Sequence, residues 1–288
     1  TLSMSHPSSP ADPSFASGEP ILKDTIAEMT SGEVVDAIGR GAIALWAFGV
    51  VEQHGPHLPT GTDIYIPCAR LRAVKALLAG DGIEALIVPP FYWGVNHVSA
   101  SFPASFRVRP EIMVGLMCDV IDSLGGDGFR HLFCVSGHGD ALHNTAVLEG
   151  VAKGSRPGGI QAAFVADPGL FARIGADPAS PHALATLPAP AQAGPYADVH
   201  AGDWETSLML ALNPEVVRGE KIAALPPTNL TAADLAEWRK GHDHARKVTP
   251  DGYLGDPASA DAARGRADLM RDARAIAEAI RARLAGRR

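Results

Sequence analysis

Apolar runs of strand length alternate along the chain with segments in which apolar residues recur at helical spacing. Four apolar runs predict buried strands, and they lie at 42–51, 83–94, 131–137 and 160–167. The segments with helical spacing lie at 64–79, 109–126, 143–154, 205–212 and roughly 259–285. This alternation is typical of an α/β fold, in which a mainly parallel sheet is flanked by helices on both faces.

The polar segments give the predicted domain organisation. Neither an internal repeat nor a linker divides the chain, so we predict a single domain over residues 21–288. Residues 1–20 are rich in serine and proline and predict a flexible N-terminal tail. Residues 175–198 are rich in proline and alanine and predict a long loop. Since loops of this length are usually functional or mobile, we expect this one to cover a binding site.

Composition and charge narrow the possible functions. Of the 288 residues, 46% are hydrophobic and 20% are charged, which is ordinary for a soluble protein with a sizeable core. The net charge of −7 and the scattered basic residues argue against nucleic acid as a partner. No apolar run reaches the ~18 residues of a membrane-spanning helix. The three cysteines, Cys68, Cys118 and Cys134, lie in apolar segments without metal-ligand spacing, which favours reduced thiols in a cytoplasmic protein.

Ligand-type residues follow three of the predicted strands where those strands end, and the second strand runs into Tyr92, Trp93 and His97. Glu52 and His54 come directly after the first strand, in VVEQHGPHLPTGTDIYIP, and Asp63 begins the helix that follows. His138 and Asp140 follow the third strand, in SGHGD. Because the carboxyl ends of parallel strands meet at one edge of a sheet, we expect these five side chains to lie close together.

These five side chains combine imidazole and carboxylate groups without cysteine. Such a set suits zinc, manganese or iron(II), with coordination positions left open for water. A divalent ion lowers the pKa of a bound water to about 7, which makes hydroxide available for attack on a carbonyl group. A pair of ions about 3.5–4 Å apart would need a bridging carboxylate, and Asp63 is the candidate. The sequence therefore predicts a catalytic site with one or two metal ions.

A second polar cluster, DVHAGDWETS, lies between the proline-rich segment and an apolar helix. His200 and Glu205 in this cluster are candidates for moving protons to and from a substrate. The candidate substrate-binding residues are Trp93, His97, Tyr196 and Trp204.

Each of these residues also has an ordinary structural explanation. Asp63 alone could cap its helix, and Glu205 alone could be an acid favoured by the helix dipole. The aromatic residues could simply pack in the core, and SGHGD could be a glycine turn. The functional interpretation rests on ligand-type residues that recur after several strands.

Three motifs, VEQHGPHLPTGTD, SGHGD and HAGDWETSLML, together resemble the creatininase family of metal-dependent amidohydrolases. The segments FYWGVNHVSASFPAS and TPDGYLGDPASA extend the resemblance over most of the chain. It implies an α/β fold, assembly as a homohexamer, and a metal centre that often holds two ions. The metal ligands it implies are Glu52, His54, Asp63 as the bridge, His138, and Asp140 in the place of a glutamate ligand. It also implies that His200 moves protons near the substrate and that Glu205 acts at the same site.

Two departures from the family pattern argue against creatinine as the substrate. Gly139-Asp140 stands where creatinine-hydrolysing members carry Tyr-Glu, and Pro103-Ala104-Ser105 stands where Pro-Gly-Thr is usual. We expect a metal-dependent hydrolase of a small polar, cyclic substrate such as a cyclic amide. The alternatives are hydrolytic ring opening of a cyclic diketone such as a keto-inositol, a peptide-trimming hydrolase, and a metal-stabilised binder without turnover.

Overall fold

The computed structural model describes residues 18–188 and 195–286. Within these ranges the strands are β1 (Ile43–Phe48), β2 (Ala85–Phe91), β3 (His131–Ser136), β4 (Gln161–Ala166) and β5 (Ala183–Ala185). The helices are α1 (Ser31–Gly39), α2 (Thr62–Gly80), α3 (Pro110–Asp127), α4 (Ala141–Gly154), α5 (Pro168–Arg173), α6 (Asp203–Leu212), α7 (Gly219–Ile222), α8 (Ala232–Trp238), α9 (Asp243–Val248) and α10 (Ala262–Leu284). The four predicted strands and five predicted helices are all present, with shifted ends.

The five strands form one parallel sheet in the order β2-β1-β3-β4-β5. The chain passes from β1 to β2 on one side and then returns to β3 on the other side of β1. The strand order therefore reverses beside β1. In open α/β sheets the crevice outside the carboxyl ends of the strands at such a point is the usual ligand site.

Helices cover both faces of the sheet, as the sequence predicts. Trp46 and Phe48 of β1 belong to the core cluster that contains α3 and α4. Leu45 and Ala47 point to the opposite face and belong to the cluster that contains α2 and α10. Helix α6 packs outside α2 and α10 and completes a third cluster. Buried side chains on both faces explain why the strands read as almost continuous apolar runs.

The Pro/Ala-rich segment differs from the prediction in one respect. Residues 175–198 are not loop throughout, because Ala183–Ala185 forms β5 and extends the sheet beside β4. Residues 189–194 of this segment, and all but the last three residues of the tail predicted at 1–20, lie outside the described residues. Among the helices described above, none combines the length and the apolar character needed to cross a membrane.

Candidate metal centre

Two glycines allow the start of α2 to approach the ends of β1 and β3. A side chain at Gly49, after β1, or at Gly137, after β3, would clash with the backbone carbonyl oxygen of Asp63. Pro67 lies one turn further along α2 and has no N–H to donate to that carbonyl. The first turn of α2 therefore lies against both strand ends, and Asp63 lies between them.

The carboxylate of Asp63 faces a different histidine with each of its oxygen atoms. Its Oδ1 lies 3.2 Å from Nε2 of His54, and its Oδ2 lies 2.8 Å from Nδ1 of His138. The helix begins after Gly61, which provides no side-chain cap, so Asp63 is not the N-cap of α2. This arrangement is the one expected of a bridging carboxylate.

Glu52 uses its two carboxylate oxygens for different purposes. Its Oε1 lies 3.2 Å from Nδ1 of His138 and 3.7 Å from Nδ1 of His200. Its Oε2 accepts hydrogen bonds from the Ser99 hydroxyl and, at 3.1 Å, from the Asn96 amide. The two donors fix the carboxylate so that Oε1 points towards the histidines.

Glu205 lies closer to the candidate metal ligands around Asp63 than the sequence indicates. Its Oε2 is 3.8 Å from Nε2 of His54 and accepts a hydrogen bond from the backbone N–H of Ala201 at 2.5 Å. The structure therefore brings together six ligand-type side chains in three overlapping groups of three. These groups are Glu52–His54–His200, Glu52–Asp63–His138 and His54–Asp63–Glu205.

Backbone carbonyl oxygens contact one ring nitrogen each of His54 and His200. Nδ1 of His54 lies 3.1 Å from the backbone carbonyl of Glu52, so it carries the proton and leaves Nε2 facing Asp63. Nε2 of His200 lies 2.9 Å from the backbone carbonyl oxygen of Gln53 and 3.2 Å from the side-chain amide nitrogen of the same residue. Nδ1 of His200 therefore faces Glu52.

Three buried carboxylates in one place need positive charge. Burial lowers the pKa of His54, but Asp63, Glu205 and Glu52 outweigh burial and raise it to about 10. Burial likewise lowers the pKa of His138, and Glu52 and Asp63 raise it well above its usual range. Burial raises the pKa of Glu205, against the lowering effect of His54 and His200. Divalent cations would supply the same positive charge.

The geometry favours metal ions over hydrogen bonds as the source of that charge. Nε2 of His54 and Oδ2 of Asp63 are buried and make no hydrogen bond of acceptable geometry, although each lies close to a partner atom. The ligand atoms of each of the three groups also lie within 4.8 Å of one another. The residues present thus fit a site for one or two divalent ions.

Asp140 is not among the groups that converge. Its Oδ2 accepts the backbone N–H groups of His97 at 2.8 Å and Val98 at 3.0 Å, and its Oδ1 accepts that of Leu142 at 2.8 Å. Asp140 is the N-cap of α4. Three backbone N–H groups thus account for the contacts described for Asp140, and its role as a metal ligand stays a prediction.

The four candidate substrate-binding residues lie in different surroundings. Trp93 is 48% exposed and contacts the rings of Tyr92 and Phe106. Nε2 of His97 lies 2.8 Å from the carbonyl oxygen of Lys240. Tyr196 is half-buried on the segment that leads to His200. Trp204 packs against the third core cluster with the Arg70 guanidinium over its ring, which is a structural environment.

The sequence prediction does not include Trp238, and it counts His57 as a potential metal ligand by its residue type alone. The ring of Trp238, at the end of α8, lies 6.2 Å from that of His200, and its Nε1 donates to the Thr249 hydroxyl. His57 is buried but points away from the metal-type ligands, and its Nε2 lies 2.9 Å from the hydroxyl of Thr206. The position of Trp238 could not be predicted, because α8 has no strong apolar pattern. For His57, the signal in the sequence is a histidine within a segment rich in proline and glycine.

Known proteins share this sequence pattern and fold. A model of the creatininase family, described as creatinine amidohydrolase, matches residues 27–280. The mycofactocin precursor peptide peptidase of Mycobacterium ulcerans (strain Agy99) is 32% identical over 226 residues, which are 76% of each chain. The creatinine amidohydrolase of Pseudomonas putida is 27% identical over 275 residues, which are 89% of this chain and 95% of that protein.

A solved structure supports the same relationship. The crystal structure of a creatinine amidohydrolase (creatininase) superimposes with a TM-score of 0.67 at 25% identity, over 89% of this chain and 96% of that one. The parallel sheet and the family match over residues 27–280 agree with the motifs that carry the resemblance. The chain belongs to the creatininase family of metal-dependent hydrolases.

Proposed function

We propose that the cluster around Asp63 holds two divalent ions. Glu52, Asp63 and His138 would hold one ion, and His54, Asp63 and Glu205 would hold the other. The observation that carries this proposal is the carboxylate of Asp63, which faces a separate histidine with each oxygen. Solved creatininases described as manganese and zinc–zinc forms support zinc or manganese as the ions.

In this proposal Glu205 takes the ligand position that the sequence assigned to Asp140. Glu205 is buried, and its raised pKa means that a cation beside it would stabilise its charged form. Asp140 would instead hold the loop at His97 in place through its backbone contacts. Proton transfer would then fall mainly to His200.

The proposed reaction is hydrolysis of an amide bond in a small polar, cyclic substrate. When bound, the divalent ions supply Lewis acidity and lower the pKa of water. In this proposal the carbonyl of Gln53 would hold a proton on Nε2 of His200, and Nδ1 would accept a proton and return it to the leaving nitrogen. Trp238 would form the wall behind His200, because its indole is held by Thr249.

The experiment that tests this proposal is the His138→Ala variant. It should lose hydrolysis of cyclic amides and at least one bound ion, with an unchanged circular dichroism spectrum. His131→Ala is the matched control, since His131 lies at the opposite end of β3 and should leave both properties intact. Full turnover in His138→Ala would refute the metal assignment.

Peptide hydrolysis is a second candidate, and one observation favours it. The mycofactocin precursor peptide peptidase is more similar in sequence (32% identical) than the creatinine amidohydrolase (27%), although over a shorter length. A peptidase should cleave short linear peptides faster than cyclic amides of the same size. Side-by-side turnover of both classes by the metal-loaded protein decides between them.

A further inference from the structure

A four-residue turn, 239–242, joins α8 to α9 and directly follows Trp238. Its last residue, His242, has a φ of 51° and a ψ of −131°, a backbone conformation that favours glycine. Residues other than glycine keep such a conformation where surrounding contacts impose it, and they cluster at functional sites. His97, on the loop after β2, supplies contacts of this kind.

His97 contacts the 239–242 turn at three points. Its backbone carbonyl oxygen accepts the N–H of His242 at 3.2 Å. Nε2 of its ring lies 2.8 Å from the backbone carbonyl oxygen of Lys240, which can only accept, so this nitrogen donates. The ring centroids of His97 and His242 are 4.9 Å apart, and the two rings are nearly perpendicular. The backbone of the turn is thus fixed on both sides of Gly241.

Gly241 and His97 approach each other too closely for a larger residue in the turn. Gly241 has a φ of 76°, and a Cβ atom placed on it would lie 2.7 Å from the His97 ring and 2.8 Å from the His97 carbonyl oxygen. The backbone of His97 is itself fixed by Asp140, whose Oδ2 accepts its N–H at 2.8 Å. His97 therefore connects the 239–242 turn to the end of β3, where His138 lies.

Trp238 lies at the other end of this connection, beside His200. The centroids of these two rings are 6.2 Å apart, and Nε1 of Trp238 donates to the Thr249 hydroxyl at 3.1 Å. Helix α8, in the part of the chain that the structure describes, contains no buried residue. A buried apolar face therefore does not hold Trp238 in place, and the polar contacts at Thr249 and at the 239–242 turn do.

We propose that His97 is a positioning residue that keeps Trp238 beside His200 and thereby sets the affinity of the site for its substrate. This inference rests on the proposed hydrolase function, in which Trp238 is the wall behind His200. His97 acts on substrate binding through Trp238 and does not touch the substrate. When the turn is released, Trp238 spends only part of the time beside His200, and the apparent affinity falls in proportion.

The test is a double-variant cycle on the metal-loaded protein with hydantoin as the cyclic amide. His97→Leu removes the donor to Lys240 and should raise KM about tenfold, the effect of one lost hydrogen bond, with a nearly unchanged kcat. Trp238→Ala should raise KM by a similar factor. The double variant should have the KM of Trp238→Ala alone, because His97 acts through the indole.

Two control variants separate this role from a general loss of stability. His97→Gln places an amide nitrogen near the position of Nε2, and it should keep a KM close to that of the wild type. His182→Leu is the matched control, because Nδ1 of His182 also lies against a backbone carbonyl, that of Ala162, at 3.0 Å. This contact is near the start of β4, away from the metal cluster, so KM should not change. All variants should keep their metal content.

The fluorescence of Trp238 gives a second readout that does not depend on turnover. Its emission is the difference between the spectra of a protein and of the same protein with Trp238→Phe. In His97→Leu this difference spectrum should move to longer wavelength, because the indole becomes more exposed to water. In His97→Gln and His182→Leu it should stay where it is in the wild type.

An unchanged Trp238 emission in His97→Leu would overturn the inference. So would an increase in KM that multiplies fully with that of Trp238→Ala, since His97 would then act on the substrate without Trp238. A shift of the emission in His97→Leu, in a protein that hydrolyses no cyclic amide, would keep the positioning role and remove the proposed reaction. Hydrolysis with a wild-type KM in His97→Leu would keep the reaction and remove the positioning role.

Discussion

The hydrogen bond from Ser99 to Glu52 gives the sharpest prediction about the metal centre. Glu52 is buried, with 2% of its surface exposed, and among the described residues Ser99 and Asn96 are the two that donate to its Oε2. Removing one donor from a buried charged group costs about 1.5–3 kcal/mol, so Ser99→Ala should lower the free energy of unfolding of the metal-free protein by about that amount. The carboxylate then gains freedom to turn Oε1 away from His138.

Metal affinity should fall with that loss of orientation. Partners that orient a metal ligand are typically worth about 10–100-fold in affinity, and we expect a decrease in this range for Ser99→Ala. The assay is competition for zinc with a chromophoric chelator at pH 7.5. Ser101→Ala is the control, because the Ser101 hydroxyl lies on the same loop and has no hydrogen-bond partner in the described structure. Equal zinc affinity for both variants would refute the role of Ser99.

Two further predictions concern residues beside the cluster. Asp140→Ala should lower the free energy of unfolding by about 2 kcal/mol in urea unfolding, because it removes the N-cap of α4. The variant should retain every bound ion in metal analysis. Loss of an ion would contradict the structural role. Burial and the charge of His54 lower the pKa of His57 from 6.5 to about 4, so the unfolded chain takes up a proton there before the folded one does as the pH falls. This difference destabilises the fold by about 2 kcal/mol at pH 5 and by almost nothing at pH 7.5. Urea unfolding of His57→Gln should lack that acid-sensitive component, and equal sensitivity in both proteins would count against it.

The sheet and part of the site could be predicted because both depend on the pattern of residues within short segments of the sequence. Strands buried on both faces give apolar runs, and residues directly after β1 and β3 must emerge at one edge. Glu52, His54 and His138 follow from that rule, and the structure places them around Asp63. The homohexamer and the role of residues 1–20 stay predictions.

Other features depend on contacts that the sequence does not indicate. Asp140 has the same chemistry as a ligand, but nearby backbone N–H groups take up its oxygens once α4 begins beside the loop at His97. The packing of α6 on α2 brings Glu205 to His54, although these two residues are over 140 positions apart in the sequence. Trp238 lies on a short helix with no buried residues, so nothing in its pattern indicated a position beside His200.

The most direct test of the metal centre is the metal content per chain, measured by mass spectrometry on protein purified without added metal. The two overlapping ligand groups around Asp63 predict about two divalent ions per chain, and about one in Asp63→Ala because the bridge is lost. Folded protein that contains no metal, and takes up none when zinc or manganese is titrated, would contradict the metal centre. In that case the buried acids and histidines around Asp63 would be a hydrogen-bonded network with no role in hydrolysis.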